Sequence, residues 1–137
     1  MPYIRIWIHL IWSTKNRQPL LLKNIRREVF SHIRENAREK DIQLDFINGY
    51  DEHVHLLISL NPEQTISKIV HDLKGESSHW INDTKLTRGK FHWQEEYLAA
   101  SVSHSVVDKV REYIKNQDEH HRTKTFVEKY GFEIRRD

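Results

Sequence analysis

The chain opens on alternation. Ile4, Ile6, Ile8, Leu10 and Trp12 fall on one side of an extended segment, and Tyr3, Arg5, Trp7, His9 and Ile11 on the other. Period two predicts a strand over residues 3–13. Over residues 23–40 the period changes. Ile25, Val29, Phe30, Ile33 and Ala37 recur at helical spacing and predict an amphipathic helix. Residues 42–50 return to alternation, with Ile42, Leu44 and Phe46 on one face of a second strand. Asn48-Gly49 is a turn signal, so this strand forms a hairpin with the next, across a turn that can extend to Glu52. The third strand, "HVHLLISL", stops at Asn61-Pro62. Residues 65–83 predict a second helix, with Ile66, Ile69, Val70, Leu73, Ser77, Trp80 and Ile81 as its buried stripe. After the basic loop "TKLTRGK", residues 91–103 predict a fourth strand. Ser105 is a candidate N-cap for a helix from 106 to about 120. Residues 122–137 are polar and without a clear period.

Strands with one apolar face, interleaved with helices, predict an α+β layer. An antiparallel sheet of about four strands is covered by helices on one face, and its other face is open to function. The length, 137 residues, suits one domain, 1–137, and 37% hydrophobic content is enough for one core. The absence of cysteine excludes disulfides, thiolate zinc sites and cysteine nucleophiles. A net charge of +2 with histidines neutral permits nucleic acid as a partner without demanding it. Ten histidines make that charge sensitive to pH. The apolar N-terminal run carries Arg5 and His9, is too short and too alternating for a membrane span, and lacks a small-residue cleavage site. The expectation is a soluble cytoplasmic protein.

Two features carry candidate chemistry. In a strand, residues i and i+2 share a face, so His53 and His55 point together, away from Val54, Leu56 and Ile58. Their backbones lie roughly 7 Å apart, close enough for two imidazoles to converge on one ion. The other reading is two half-exposed polar side chains. Two histidines also leave a metal under-coordinated, so a further ligand must come from elsewhere. The second feature is Tyr113, one helical turn before Gln117 on the same face as Val106 and Val110. It either packs at the rim of the core with its hydroxyl in water, or acts as a nucleophile on phosphorus. In the second case a metal polarises the phosphodiester, and the Gln117 carboxamide offers it an oxygen or orients the phosphate. Magnesium or manganese suits such oxygen ligands, and manganese also tolerates imidazole.

Five stretches resemble one family. "GYDEHVHLL" is similar to the histidine–hydrophobic–histidine (HUH) motif of the single-tyrosine transposases of the IS200 type. "SKIVHDLKGESSHWI" resembles their second helix, "WQEEYLAASVS" their fourth strand, "YIKNQDEHH" their nucleophile helix and "HLIWSTKNRQPLL" their first strand and turn. The resemblance runs from about residue 5 to residue 126, with the five motifs in the family's order. It implies the family's ferredoxin-like, RRM-like HUH fold, with the nucleophile helix at about 105–121, followed in this chain by a short C-terminal tail. It implies that Tyr113 is the nucleophile, that His53 and His55 hold Mg2+ or Mn2+, and that Gln117 completes the site. It also implies single-stranded DNA with hairpins at element ends as the partner, a 5′-phosphotyrosine intermediate, and a homodimer in which the tyrosine helix of one subunit can reach the histidines of the other. The chain departs from the pattern after "EHHRTKTF", where "VEKYGFEIRRD" follows in place of a longer segment with an aromatic-rich tail.

Lys15, Arg17, Lys74, Arg88 and Lys90, with Lys68 and Lys85, are candidate phosphate contacts; each is alternatively a solvated surface charge. Trp7, His9 and Trp93 are candidates for base stacking or for an interface. His120 and His121 are candidates to assist the metal or the phosphate, or a solvated helix end. Two other functions fit the same motifs: a domesticated single-tyrosine nuclease acting on chromosomal repeats, and a module that binds hairpin DNA without cutting it.

Overall fold

The computed structural model describes residues 4–117. Its elements are β1 (Trp7–Ser13), α1 (Lys23–Glu39), β2 (Gln43–Gly49), β3 (His53–Ser59), α2 (Ile66–Asp83), β4 (Leu98–Val102) and α3 (Val107–Lys115). The four strands form one antiparallel sheet in the order β2-β3-β1-β4. β3 and β1 are therefore central, and six of the seven β3 residues are buried.

The alternation read in β1 and β3 sorts the two faces. On one, Ile8, Leu10 and Trp12 pair across with Ile58, Leu56 and Val54. They pack with Val29, Phe30, Ile33 and Ala37 of α1 and Ile69, Val70, Leu73 and Ile81 of α2, forming the main core. On the other face Ser13, Ile11 and His9 pair with His53, His55 and Leu57. Here the short α3 packs over β2 and β3, and Leu57, Val107 and Ile114 make a second cluster flanked by Trp7, Phe46, Val102 and Val110.

Several boundaries differ from the sequence expectation, each for a local reason. β2 does not alternate cleanly, because a bulge lies between Leu44 and Phe46. Leu44 pairs with Ile58 and Phe46 with Leu57, so Asp45 is an extra residue and Phe46 turns to the α3 side while Leu44 stays with the main core. Asn48-Gly49 is not the turn. Both residues are in β2, and the reversal falls at residues 50–52, closed by Tyr50 N–H donating to His53 O at 2.9 Å. Gly49 is needed for close approach: a Cβ there would lie 2.3 Å from His53 O and 3.0 Å from Phe30 Cζ.

β1 pairs from Trp7, and β4 forms a ladder over Leu98–Val102, with a single bridge between Thr14 and Trp93 before it. The predicted start of the fourth strand instead runs into the core. Phe91 is bracketed by the Asn82 side chain, which accepts from Phe91 N–H at 2.7 Å and donates to Phe91 O at 2.9 Å. Trp93 is buried, donates to Ser77 Oγ at 2.8 Å and meets Trp12 edge to face, so it is a core residue and not a stacking platform. Ser105 is not the N-cap of α3. It sits inside a 3-10 turn, His104–Val106, and Val106 occupies the cap position without a side-chain hydrogen bond. Where the sequence predicts a last helix to about 120, α3 ends at Lys115 and Asn116 is in a turn. The stretch beyond Gln117 lies, with His120, His121 and the C-terminal tail, outside the described residues.

Candidate active site

β3 sets His53 and His55 on the α3 face with ring centroids 4.9 Å apart. Both are buried, against the alternative reading of two half-exposed polar side chains, because α3 and its end cover this part of the sheet. Each ring has its Nδ1 engaged by a neighbour. Glu52 Oε1 lies 2.5 Å from His53 Nδ1, and His9 Nε2 lies 2.9 Å from His55 Nδ1. Burial lowers the His9 pKa to about 4, which keeps that ring neutral at physiological pH. The Glu52 carboxylate accepts from His53 Nδ1–H, so His53 presents its Nε2 to the site, while His9 Nε2 and His55 Nδ1 share one proton between them.

α3 brings the remaining parts. Tyr113 is half-buried, its ring centroid 6.1 Å from that of His55 at an interplanar angle of 70°. Gln117, one turn on, is buried. Its Nε2 donates to Tyr113 O at 3.1 Å, and that bond turns its Oε1 toward His53 Nε2 at 3.2 Å. An amide oxygen and an imidazole lone pair facing each other are two acceptors without a proton between them. The contact is satisfied by protonating the ring or by a cation binding both atoms. Two ligands with metal bonds of about 2.1 Å lie about 3 Å apart around one ion, so the spacing fits a cation. Among the described residues no three His, Cys, Asp or Glu side chains form a metal group. A cation here would be held by His53, His55 and the Gln117 oxygen.

Sequence reasoning missed four contributors. Glu52 and His9 orient the two imidazoles. Asn48, read as a turn residue, pairs with His55 in the sheet and donates through Nδ2 to Ile114 O and Lys115 O at 3.1 and 3.0 Å, which ties down the end of α3. Ser13 pairs with His53, and its buried Oγ has no hydrogen bond among the described residues. The strand register was the signal that would have found Asn48 and Ser13, and it is not readable from period alone. Trp7 packs on α3 and donates to His104 Nδ1 at 3.0 Å.

The basic candidates are dispersed. Lys15 and Arg17 stand half-buried in the 3-10 turn after β1. The Lys74 ammonium donates to the backbone carbonyls of Gln94 and Glu95, at the wall of a cleft of about 470 Å³ that it shares with His71, His92 and Tyr97. Arg88 and Lys90 are exposed on the loop after α2, as is Lys85. Lys68 is paired with Asp72 at 3.1 Å.

A four-stranded antiparallel sheet with a paired-histidine strand under a tyrosine-bearing helix defines an α+β fold. The family model for IS200-like transposases matches residues 3–117. The chain belongs to the IS200-like transposase family. It is 29% identical over 115 residues to the ISDra2 transposase TnpA of Deinococcus radiodurans, covering 80% of this chain and 81% of that one. It is 26% identical over 114 residues to the transposase for insertion sequence element IS200 of Salmonella typhimurium, covering 80% and 74%. Among solved structures, a Deinococcus radiodurans protein assigned as a transposase superposes with a TM-score of 0.67 at 26% identity, covering 85% of this chain and 95% of that one. A REP-associated tyrosine transposase bound to a REP hairpin shares the fold, with a TM-score of 0.63 at 15% identity and coverage of 93% and 74%. No helix among the described residues is long and apolar enough to cross a membrane.

Proposed function

We propose that this transposase cleaves and rejoins single-stranded DNA at the ends of an insertion sequence, by transesterification through Tyr113. The observation that carries the reading is that Tyr113 of α3 lies beside the buried histidine pair within one chain, with Gln117 bonded to Tyr113 O and its Oε1 3.2 Å from His53 Nε2. The Tyr113 phenol oxygen forms a bond to the scissile phosphorus and loses its proton to solvent. The bond from phosphorus to the 3′-oxygen breaks, and that oxygen leaves as a 3′-hydroxyl after taking up a proton. The 5′-phosphotyrosine conserves the phosphodiester bond, so a 3′-hydroxyl of another strand reverses the attack and releases the phenol without a nucleotide cofactor. His53, His55 and Gln117 Oε1 would hold Mg2+ or Mn2+, and the ion when bound would supply Lewis-acid polarisation of the phosphate. Glu52 and His9 orient the two rings for that role.

The partner is single-stranded DNA with hairpins at the element ends, a reading supported by the hairpin bound to the REP-associated relative of the same fold. The protein works as one domain, as a homodimer, in the cytoplasm. The test mixes the full chain with Mg2+ or Mn2+ and a single-stranded oligonucleotide carrying an element end, and resolves products on a denaturing gel. A covalent adduct is expected for the wild type and none for Tyr113→Phe. An adduct that survives Tyr113→Phe, or no adduct with either metal on several hairpin substrates, overturns the reading. The second outcome leaves a module that binds hairpins without cutting them.

A further inference from the structure

α1 presents a row of cations that the catalytic reading does not use. Lys23, Arg27 and Arg34 are spaced by four and seven residues, which puts them within about 40° of one another around the helix. All three are exposed. They overhang a cleft of about 640 Å³ between α1 and β2, one of the two edge strands of the sheet, with Phe30 and Ile47 among its lining. Asn24 and Ser31 add an amide and a hydroxyl, Asn48 borders the cleft while its own amide donates to α3 on the other face, and the lining holds no carboxylate. Arg26 also borders it but is committed to the fold, donating to Asp51 Oδ1 at 2.6 Å and to Leu21 O at 3.0 Å. Lys23 and Arg27 form no ion pair among the described residues, and Arg34 donates to Leu44 O at 3.2 Å through one of its five N–H groups.

Position gives the cleft its meaning. Asn48 lies at one end and is the sheet partner of His55. The backbone of Asn48 therefore lies one strand spacing, about 5 Å, from that of His55. The groove is on the α1 side of the sheet and the histidine side chains on the α3 side, so a strand leaving the groove passes around the β2 edge to reach them. From Lys23 to Arg34 the helix rises about 16 Å, which spans several successive backbone phosphates. The only aromatic ring in the lining, Phe30, is buried and offers no stacking face. Cations, an amide and a hydroxyl without a stacking surface suit a sugar–phosphate backbone and carry no base readout.

We infer that the α1–β2 groove holds the phosphate backbone of the DNA strand on one side of the scissile phosphate and guides it toward Tyr113. The identity of the strand rests on the proposed function; the groove's affinity for a single-stranded backbone is tested without it. Binding of the full chain to a fluorescein-labelled single-stranded oligonucleotide is followed by anisotropy across a salt series. The comparison is with the triple variant Lys23→Ala, Arg27→Ala, Arg34→Ala, whose fold is checked by circular dichroism. Removing three phosphate contacts is expected to flatten the slope of log K against log salt by about 2, to weaken binding on the order of tenfold at moderate salt, and to do so equally for scrambled sequences. Unchanged slope and affinity, or a loss confined to one sequence, overturns the groove. The two proposals fail separately. A wild type that forms the adduct while the triple variant binds normally rejects the groove alone. A wild type that forms no adduct while the triple variant loses affinity supports the groove and rejects the chemistry.

Discussion

Arg111 of α3 closes a two-point ion pair on Asp45, with Nε 2.6 Å from Oδ2 and Nη2 3.0 Å from Oδ1. Asp45 is the bulge residue of β2, so the irregularity in that strand is what offers a carboxylate to the tyrosine helix. Arg111 also bonds Asp108 at 2.6 Å and lies 5.7 Å from the centre of the Trp7 ring. The pair joins a short helix to the sheet two residues before the nucleophile candidate.

That clasp predicts a split between stability and rate. The Arg111 side chain is 36% exposed, and exposed ion pairs contribute about 0.2–1 kcal/mol. Asp45→Ala and Arg111→Ala are expected to shift the denaturation midpoint only slightly, while slowing adduct formation several-fold because Tyr113 is less firmly placed. A double-mutant cycle on the adduct rate checks the mechanism. Strictly additive effects would show that the two residues act separately.

His55→Ala is expected to abolish Mn2+ binding, followed by electron paramagnetic resonance of the free ion. It also removes the partner of His9 Nε2 inside the site, at a cost of about 1–3 kcal/mol. Gln117→Ala is expected to weaken Mn2+ binding while leaving the histidine pair folded. Undiminished Mn2+ affinity in both variants would move the metal elsewhere.

His9 gives a pH dependence. Its folded pKa, about 4, lies below the ordinary value of 6.5, so the unfolded chain binds more protons between those values. The stability it contributes is fully present above about pH 6.5 and is lost as pH falls toward 4. In metal-free buffer, the melting temperature of His9→Asn is expected to fall less steeply than that of the wild type over this window. Parallel curves would remove His9 as the source.

Gly49→Ala tests the close approach at the hairpin. A Cβ 2.3 Å from His53 O forces backbone to move, so the loss is expected to reach or exceed the roughly 1–3 kcal/mol of an overpacked core. Because the obstructed carbonyl belongs to His53, Mn2+ affinity is expected to drop with stability. Chemical denaturation and metal titration of the same variant check both; unchanged values in both would show that the strand end yields easily.

Local periodicity by itself determined much of this protein. The stripes Val29, Phe30, Ile33, Ala37 and Ile69, Val70, Leu73, Ile81 were legible because a helix returns the same face every turn, and the core takes up those faces. The shared side of His53 and His55 was legible because a strand alternates. The pairing of Tyr113 with Gln117 was legible from the helical turn between them. Tertiary structure alone decided the rest. Which strand lies beside which made Asn48 the neighbour of His55 and Ser13 that of His53. Close packing of α1 on the hairpin demanded Gly49, a buried place for Arg26 required Asp51, and the bulge at Asp45 answered to a helix more than sixty residues away. The division has one physical cause. Period is a property of neighbouring residues along the chain, whereas register, bulges and buried pairs are set by segments that meet only after folding.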